Sequence, residues 1–228
     1  MASLNLPKTV NISDDFEGFN KDAFCIQKHY QESIHKVLVP HGMIQDRITK
    51  LANDIFTDSR ETGMDSLVTL CVLKGGYRFF ADLHDKLSII NSSHNSGGSI
   101  YMTVDFIRLK SYENTDSTGD VKVVGGYNLE TLKGKNVLVV EDIVDTGRTM
   151  KKLLELLTKC DPKSVKVACL ARKRTPLSDG FRPDYVGFEV PNHFVIGYNF
   201  DYNENFRDLM HICQISQSAV EKYKSHNE

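Results

Sequence analysis

Two adjacent carboxylates, Glu141 and Asp142, stand just before a short run of hydroxyl and glycine residues at 145–149. The four residues before the pair, 137–140, are apolar and three of them are β-branched. They predict a strand buried on both faces of a parallel sheet and ending at the acidic pair. A helix is predicted to begin next, since apolar residues then recur with helical spacing. These residues are Met150, Leu153, Leu154 and Leu157.

A helix start presents N–H groups without partners and a dipole that favours anions, so residues 145–149 are a candidate phosphate site. Two carboxylates beside a phosphate would repel it unless they face diol hydroxyls or a Mg²⁺ that also binds phosphate. The chain contains neither the G-x-x-x-x-G-K-[ST] loop nor the G-x-G-x-x-G loop of common nucleotide-binding proteins. A phosphatase that uses an aspartate nucleophile would need a D-x-D pattern at a strand end, and the sequence has none.

A second apolar run, residues 67–73, leads directly into Lys74, Gly75 and Gly76. It predicts another buried strand, and the two glycines allow the backbone to approach a ligand closely. Open α/β sheets bind ligands at the carboxyl ends of their strands, so we expect this turn to lie near the acidic pair. A plain strand-to-helix turn is the alternative on local evidence.

Composition indicates a compact globular protein, with 228 residues of which 40% are hydrophobic and 25% charged. A net charge of -2 gives no electrostatic case for a nucleic-acid or membrane partner, and no run is apolar enough for a leader or a span. The five cysteines are odd in number and lack C-x-x-C spacing. They predict free thiols in a reducing compartment, and we therefore expect a cytoplasmic protein.

Strands and helices are predicted to alternate, which indicates an α/β fold with a parallel twisted sheet flanked by helices. Residues 41–180 would form the core, and residues 1–40 and 181–228 a small hood. Residues 110–120 are long and polar, which predicts a mobile hairpin or lid. The other predicted strands are 37–40, 101–109 with a bulge at 106–107, 165–170, 185–190 and 194–198. The other predicted helices are 43–56 and one after Gly76, followed by a polar loop at 91–98.

The apolar strand, the acidic pair, two apolar residues and then Asp-Thr-Gly at 145–147 resemble the signature of the type I phosphoribosyltransferases. Further blocks resemble the hypoxanthine-guanine members of that family and together cover nearly the whole chain. These blocks are 40–44, 73–77, 104–112, 173–176, 187–189 and 201–208. The resemblance implies the type I fold and a Mg²⁺-dependent purine salvage enzyme that makes IMP or GMP. Its substrates would be phosphoribosyl pyrophosphate and hypoxanthine or guanine, and it would form a homodimer or homotetramer.

The resemblance also assigns roles to the acidic stretch. Asp145 would be the general base at purine N7, while Glu141 and Asp142 would hold the ribose hydroxyls. Both would also be metal ligands together with Asp201. The positions that bind the rest of the phosphoribosyl group would be Thr146, Gly147, Arg148 and Thr149.

Two further sets of residues follow from the resemblance. The pyrophosphate would be bound by Lys74, Gly75, Ser111, Tyr112 and Arg207, with a cis peptide between Leu73 and Lys74. The purine would be bound by Ile143, Lys173, Phe194, Val195 and Phe200.

The sequence departs from the family's usual residues at Asn199-Phe200 and Ala171-Arg172, and both departures adjoin positions assigned to the purine. Because some relatives on this fold keep the ligand pocket and lose catalysis, a catalytically weakened relative with a binding or regulatory role is the alternative function. That alternative would be favoured by loss of the acidic residue at position 145, which is intact here as Asp145.

Overall fold

The computed structural model describes residues 9–94, 98–111, 121–126 and 129–224, with the backbone alone for 110–111 and 121–126. The predicted lid at 110–120 and the predicted contact at Tyr112 therefore lie outside the described residues, apart from the backbone of 110–111.

Ten described strands and four α-helices alternate along much of the chain. The strands are β1 (Val10–Asn11), β2 (Ile34–Val39), β3 (Ser66–Leu73), β4 (Tyr101–Ser111), β5 (Val121–Gly126), β6 (Asn136–Val144), β7 (Ser164–Lys173), β8 (Tyr185–Val190), β9 (Val195–Ile196) and β10 (Ile212–Ile215). The helices are α1 (His41–Glu61), α2 (Tyr77–Ser93), α3 (Arg148–Thr158) and α4 (Gln217–Lys222).

Seven of these strands form one sheet, in the order β1-β8-β7-β6-β3-β4-β5. All neighbouring strands are parallel except β4 and β5, which confirms the predicted parallel α/β sheet. The chain passes from β3 outward to β4 on one side, and from β6 outward to β7 on the other. The strand order therefore reverses between β3 and β6, and this switch point is where open α/β sheets form a ligand crevice.

The two faces of the sheet are covered by different helices. Leu138 and Val140 of β6 pack with α1 and α2, whereas Val137 and Val139 pack with Met150, Leu153 and Leu157 of α3. This alternation follows from the two-residue repeat of a strand and explains why residues 137–140 are uniformly apolar. Both faces of β6 are buried, which holds its carboxyl end in a fixed position.

The hood is a three-stranded antiparallel sheet in the order β2-β10-β9, with its own apolar cluster that includes Ile34, Val37, Phe206 and Cys213. It joins segments from the two ends of the chain, as predicted. The predicted division at 181 is too early, because β8 belongs to the large sheet, where it pairs with β7. The short strand β1 also lies in the large sheet, beside β8.

The prediction that β6 ends at the acidic pair is wrong. Pairing with β7 continues through Glu141, opposite Cys169, to Val144, opposite Arg172. Because pairing with β7 continues past Glu141 and Asp142, both carboxylates lie within the last four residues of β6. Their polarity alone does not mark the strand end.

Other boundaries shift by a few residues. Helix α2 continues through Ser93, so the predicted loop at 91–98 begins later. The Asn91 side chain accepts from the N–H of Ile100 and donates to its carbonyl, both at 2.8 Å, which connects the end of α2 to β4. The predicted strand 194–198 is confined to β9, because Gly197 and Tyr198 both have left-handed φ angles, 90° and 51°. The bulge predicted at 106–107 is found between Ile107 and Leu109.

Among the described helices, none is both long enough and apolar enough to cross a membrane.

Candidate active site

The predicted site residues converge at the carboxyl ends of three neighbouring strands. Strand β3 leads to Lys74 and Gly75, the end of β6 carries Glu141 and Asp142 and leads to Asp145, and β7 ends at Lys173. Since β3, β6 and β7 are adjacent and parallel, their carboxyl ends meet at the switch point of the sheet. The loop after β9 completes the site with Phe200 and Asp201, which line one cavity with Asp142.

The acidic pair is held by hydrogen bonds from its own backbone. The N–H of Asp142 donates to Oε1 of Glu141 at 3.1 Å, and the N–H of Ile143 donates to Oδ1 of Asp142 at 2.8 Å. Burial raises the pKa of Glu141 well above its usual value, and the neighbouring Asp142 raises it further. Burial also raises the pKa of Asp142, although hydrogen bonds and the Arg207 charge act against this.

Gly75 lies directly against the acidic pair. A Cβ atom added at Gly75 would be 1.9 Å from Oδ2 of Asp142, far inside van der Waals contact. Glycine is required here because a protein carboxylate approaches the backbone, whereas the sequence suggested close approach by a ligand. The peptide bond between Leu73 and Lys74 is cis, as the resemblance implied.

The predicted phosphate loop forms the start of α3. Asp145, Thr146, Gly147 and Thr149 line a cavity of about 110 Å³ there, together with Glu141, Ile143, Val144 and Met150. Gly147 has a φ of 90°, and a Cβ atom on it would be 2.3 Å from Oδ1 of Asp179. Arg148 is exposed and is not among the residues lining this cavity.

A second cavity of about 140 Å³ brings all five predicted purine contacts together. It is lined by Asp142, Ile143, Asp145, Lys173, Phe194, Val195, Phe200 and Asp201. Nζ of Lys173 is 2.7 Å from Oδ2 of Asp145 and 5.7 Å from the centre of the Phe194 ring. Phe194 is about half exposed, and its ring makes a T-shaped contact with Tyr202, with 4.9 Å between ring centres. One ring face and a paired cation and anion therefore face the same small space.

The predicted pyrophosphate cations are bound by carboxylates of the chain itself. Lys74 is 2.8 Å from Glu204, and Arg207 is 2.9 Å from Asp201 and 3.4 Å from Glu204. Nε of Arg207 is buried and has no hydrogen-bond partner in the described part of the chain. Ser111 lies at the end of β4, and its side chain is not described.

The predicted metal ligands do not form a cage made by protein alone. In the parts of the chain that the structure describes, no three His, Cys, Asp or Glu side chains are grouped to hold a metal ion. Glu141, Asp142 and Asp201 nevertheless offer carboxylate oxygens at one edge of the site. Mg²⁺ is commonly held by one or two carboxylates together with substrate phosphates, and the oxygen donors here fit that arrangement.

Of the two departures from the family's residues, only Asn199-Phe200 reaches the cavity assigned to the purine, and it does so through Phe200. Nη1 of Arg172 is 3.1 Å from Oε1 of Glu189, and both side chains line a different cavity, beside α1. The alternation of β7 explains this, because Arg172 and Lys173 point to opposite faces. Asn199 does not line the purine cavity either, whereas the buried Phe200 does.

Two residues near the site were missed by the sequence reasoning. Asn199 donates from Nδ2 to the carbonyls of Lys74 and Gly75, both at 2.7 Å, and Glu204 joins Lys74 to Arg207. Asn199 departs from the family's usual residue, but it contacts the loop after β3 and not the purine cavity. Nothing in the local sequence marks the contact between Glu204 and the loop after β3, because Lys74 lies 130 residues away.

The comparisons with known proteins agree with this geometry. The family described as "Phosphoribosyl transferase domain" matches residues 38–203. The hypoxanthine-guanine phosphoribosyltransferase of Canis lupus familiaris is 58% identical over 216 residues, covering 95% of this chain and 97% of that protein. The Homo sapiens enzyme of the same name is 57% identical over 216 residues, with the same shares covered.

A solved structure extends the agreement to the fold. The hypoxanthine-guanine phosphoribosyltransferase of Schistosoma mansoni, crystallised in complex with IMP, superposes with a TM-score of 0.80 at 42% identity. The match covers 94% of this chain and 98% of that one. Since sequence and fold agree over almost the whole length, this chain belongs to the phosphoribosyltransferase family and, within it, to the hypoxanthine-guanine phosphoribosyltransferases.

Proposed function

We propose that this protein transfers the 5-phosphoribosyl group of phosphoribosyl pyrophosphate to N9 of hypoxanthine or guanine, in purine salvage. The products are IMP or GMP and pyrophosphate. The observation that carries the proposal is the Lys173–Asp145 pair, 2.7 Å apart at the wall of a small cavity with an aromatic face. A 6-oxopurine presents O6 and N7 side by side, so it can accept from the lysine and meet the carboxylate at the same time.

The roles of the remaining groups follow from the charge that develops during the reaction. Bond breaking at the anomeric carbon leaves positive charge on the ribose and negative charge on the pyrophosphate. In this proposal Glu141 and Asp142 hold the ribose hydroxyls, and Lys74 and Arg207 stabilise the leaving group. Asp145 takes the purine N7 proton, which a carboxylate can do when it is positioned on that edge.

The start of α3 holds the 5-phosphate. Thr146 and Thr149 offer hydroxyls there, and the first N–H groups of the helix offer further donors. This fixes the ribose between the loop and the acidic pair, so that the anomeric carbon faces the purine cavity.

Mg²⁺ is the implied cofactor, and Asp201 with the acidic pair would hold it together with the phosphates of the substrate. When bound, Mg²⁺ offsets the charge of the leaving pyrophosphate. Asp201 is 2.9 Å from Arg207, so the same carboxylate also orients a cation that is assigned to the pyrophosphate.

The deciding experiment is a steady-state assay with phosphoribosyl pyrophosphate and each of hypoxanthine, guanine, xanthine and adenine, with Mg²⁺ varied. We expect pyrophosphate and IMP or GMP to form in equal amounts, and adenine to give no product. Release of no pyrophosphate with any 6-oxopurine, over a range of Mg²⁺ concentrations, would contradict the proposal. Binding of IMP without turnover would instead favour the weakened relative.

We further propose that the enzyme forms a homodimer or homotetramer and works in the cytoplasm. All five cysteines are free, and three of them are buried in apolar surroundings, which suits a reducing compartment. Light scattering at micromolar concentration measures the oligomer, and a monomer would contradict the first part. Cell fractionation tests the second part.

A further inference from the structure

Asn199 connects the two segments that are assigned to the pyrophosphate. Its side-chain Nδ2 is 2.7 Å from the carbonyl oxygen of Lys74 and 2.7 Å from that of Gly75. One amide group thus satisfies two successive carbonyls of the loop after β3. Asn199 and this loop are more than a hundred residues apart, so the contact is purely tertiary.

The backbone of Asn199 is fixed from the other side by Arg207. The N–H of Asn199 donates to the Arg207 carbonyl at 3.1 Å, and its own carbonyl accepts from Nη1 of Arg207 at 2.9 Å. The φ of Asn199 is 77°, a left-handed value that asparagine adopts more readily than most residues. The Asn199 backbone is therefore held by Arg207 while its side chain holds the loop.

The orientation of the loop peptides follows from this contact. In a trans peptide unit the C=O and the next N–H point in opposite directions. Drawing the Lys74 carbonyl toward Asn199 therefore turns the Gly75 N–H away from Asn199. Likewise, the Gly76 N–H points away and donates to the Val72 carbonyl at 3.0 Å. Two carbonyls, which would repel a phosphate, are thus occupied by a donor.

We propose that Asn199 is a positioning residue for pyrophosphate: it fastens the loop at Lys74-Gly75 to the segment that carries Asp201 and Arg207. This inference rests on the proposed transferase function. Asn199 does not itself contact the reacting atoms. It orients one backbone donor, the N–H of Gly75, and it fixes the position of Lys74 relative to Arg207. The purine cavity is not lined by Asn199, so the effect is confined to the pyrophosphate half of the site.

The test uses two substitutions by residues that tolerate the left-handed backbone conformation of Asn199. Asn199→Gly removes the amide and suits the left-handed φ. Asn199→Asp keeps the shape and replaces the donor by an oxygen that faces two carbonyls. The matched control is Asn203→Gly, since Asn203 also has a left-handed φ, 49°, and donates from Nδ2 to a backbone carbonyl, that of Tyr223, at 2.7 Å. That contact joins Asn203 to Tyr223 and not to the loop.

We expect Asn199→Gly to raise KM for phosphoribosyl pyrophosphate, and Kd for pyrophosphate, by about tenfold, the scale of one or two hydrogen bonds. Asn199→Asp should raise both by more. Calorimetric Kd for IMP, which lacks the pyrophosphate, should stay within about twofold in both variants. Asn203→Gly should change none of these constants.

Two results would overturn the assignment. One is an unchanged KM and Kd for the pyrophosphate ligands in Asn199→Gly. The other is an equal loss of IMP affinity, which would make Asn199 a general structural residue. If Asn199→Gly does not fold, the same measurements on Asn199→Asp decide the matter. Failure of the wild-type protein to release pyrophosphate would instead overturn the proposed function itself.

Discussion

Asp145 and Lys173 are the residues on which the proposed chemistry depends most. Asp145→Asn keeps the size of the side chain but removes the proton acceptor. We expect kcat with hypoxanthine to fall by roughly 10²–10⁴, the range for a positioned acid–base group. Steady-state kinetics measure this, with Asp14→Asn as the control, because Asp14 is an exposed carboxylate paired with Arg174. A kcat within about threefold of the wild type would remove Asp145 from the role of base.

Gly75 allows a prediction about the acidic pair. The Cβ atom of Gly75→Ala would overlap with the Asp142 carboxylate, so either the loop or the carboxylate must move. We expect kcat/KM to fall by at least about a hundredfold, because both are assigned to the reacting substrate. Gly42→Ala in α1 is the matched control. A Cβ atom there meets nothing within 4 Å, and alanine favours the helix by roughly 0.5–1 kcal/mol.

The outcome for Gly42→Ala should be unchanged activity with equal or higher thermal stability. Near-normal activity of Gly75→Ala would mean that Asp142 can leave its observed position without loss. Asp142 would then have no fixed role at the ribose.

At the scale of elements, helix α1 is capped by a residue from the hood. Pro40 precedes the helix and offers no side-chain acceptor, whereas Nδ1 of His211 accepts from the His41 N–H at 3.0 Å. Burial lowers the pKa of His211, and the neighbouring His41 lowers it further. The folded protein thus favours neutral His211, and the unfolded chain, with a pKa of about 6.5, takes up the proton more readily.

This stabilisation is present above about pH 6.5 and is lost as the pH falls below it. His211→Ala should lower the free energy of unfolding by about 1–2 kcal/mol at pH 7.5. The difference from the wild type should shrink by pH 5. Denaturant titrations at several pH values test this, with His35→Ala as a control, because His35 is exposed on β2. A difference that does not change with pH would contradict the cap.

Local patterns predicted the elements that carry their own signal. The apolar run 137–140 identified β6, and the helical repeat from Met150 to Leu157 identified α3. In each element the apolar residues of the pattern are the ones that the fold buries. The end of β6 was misplaced because pairing with β7, a tertiary contact, carries it past Glu141. The His211 cap has no local signal for the same reason.

The candidate site, like the fold, was predicted in part. The five purine contacts came from resemblance to a known family, and the structure brings them around one cavity. The contacts of Arg172 and Asn199 could not be obtained that way, because each of them is unusual for the family. Their partners, Glu189 and the carbonyls of Lys74 and Gly75, are set by the packing of this particular chain.

At the scale of the whole molecule, the reactivity of the five cysteines measures how tightly the apolar cores are closed. Cys71 and Cys213 are buried, and burial raises the pKa of each thiol to about 12. Burial raises the pKa of Cys169 as well. Cys25 is exposed, and Cys160 is partly exposed. Since the thiolate is the reactive form, we expect two thiols of the native protein to react with a disulfide reagent at pH 8.

The other three thiols should react only after unfolding in denaturant. Mass spectrometry of the labelled peptides identifies the sites. Rapid labelling of Cys71 or Cys169 in the native protein would show that the sheet opens far more readily than its burial implies.

The strand order of the hood has a consequence for the synthesis of the chain. β2 pairs along its length with β10, so residues 34–39 leave the ribosome long before their partner at 212–215 has been made. At roughly 5–20 residues per second, the wait is on the order of ten seconds. Throughout it, Ile34 and Val37, which the finished protein buries almost completely, lack Phe206, Leu209, Cys213 and Ile215, the later residues of their apolar cluster. A nascent chain stalled before residue 212 should therefore recruit chaperones through this segment, and release after residue 215 should end the interaction.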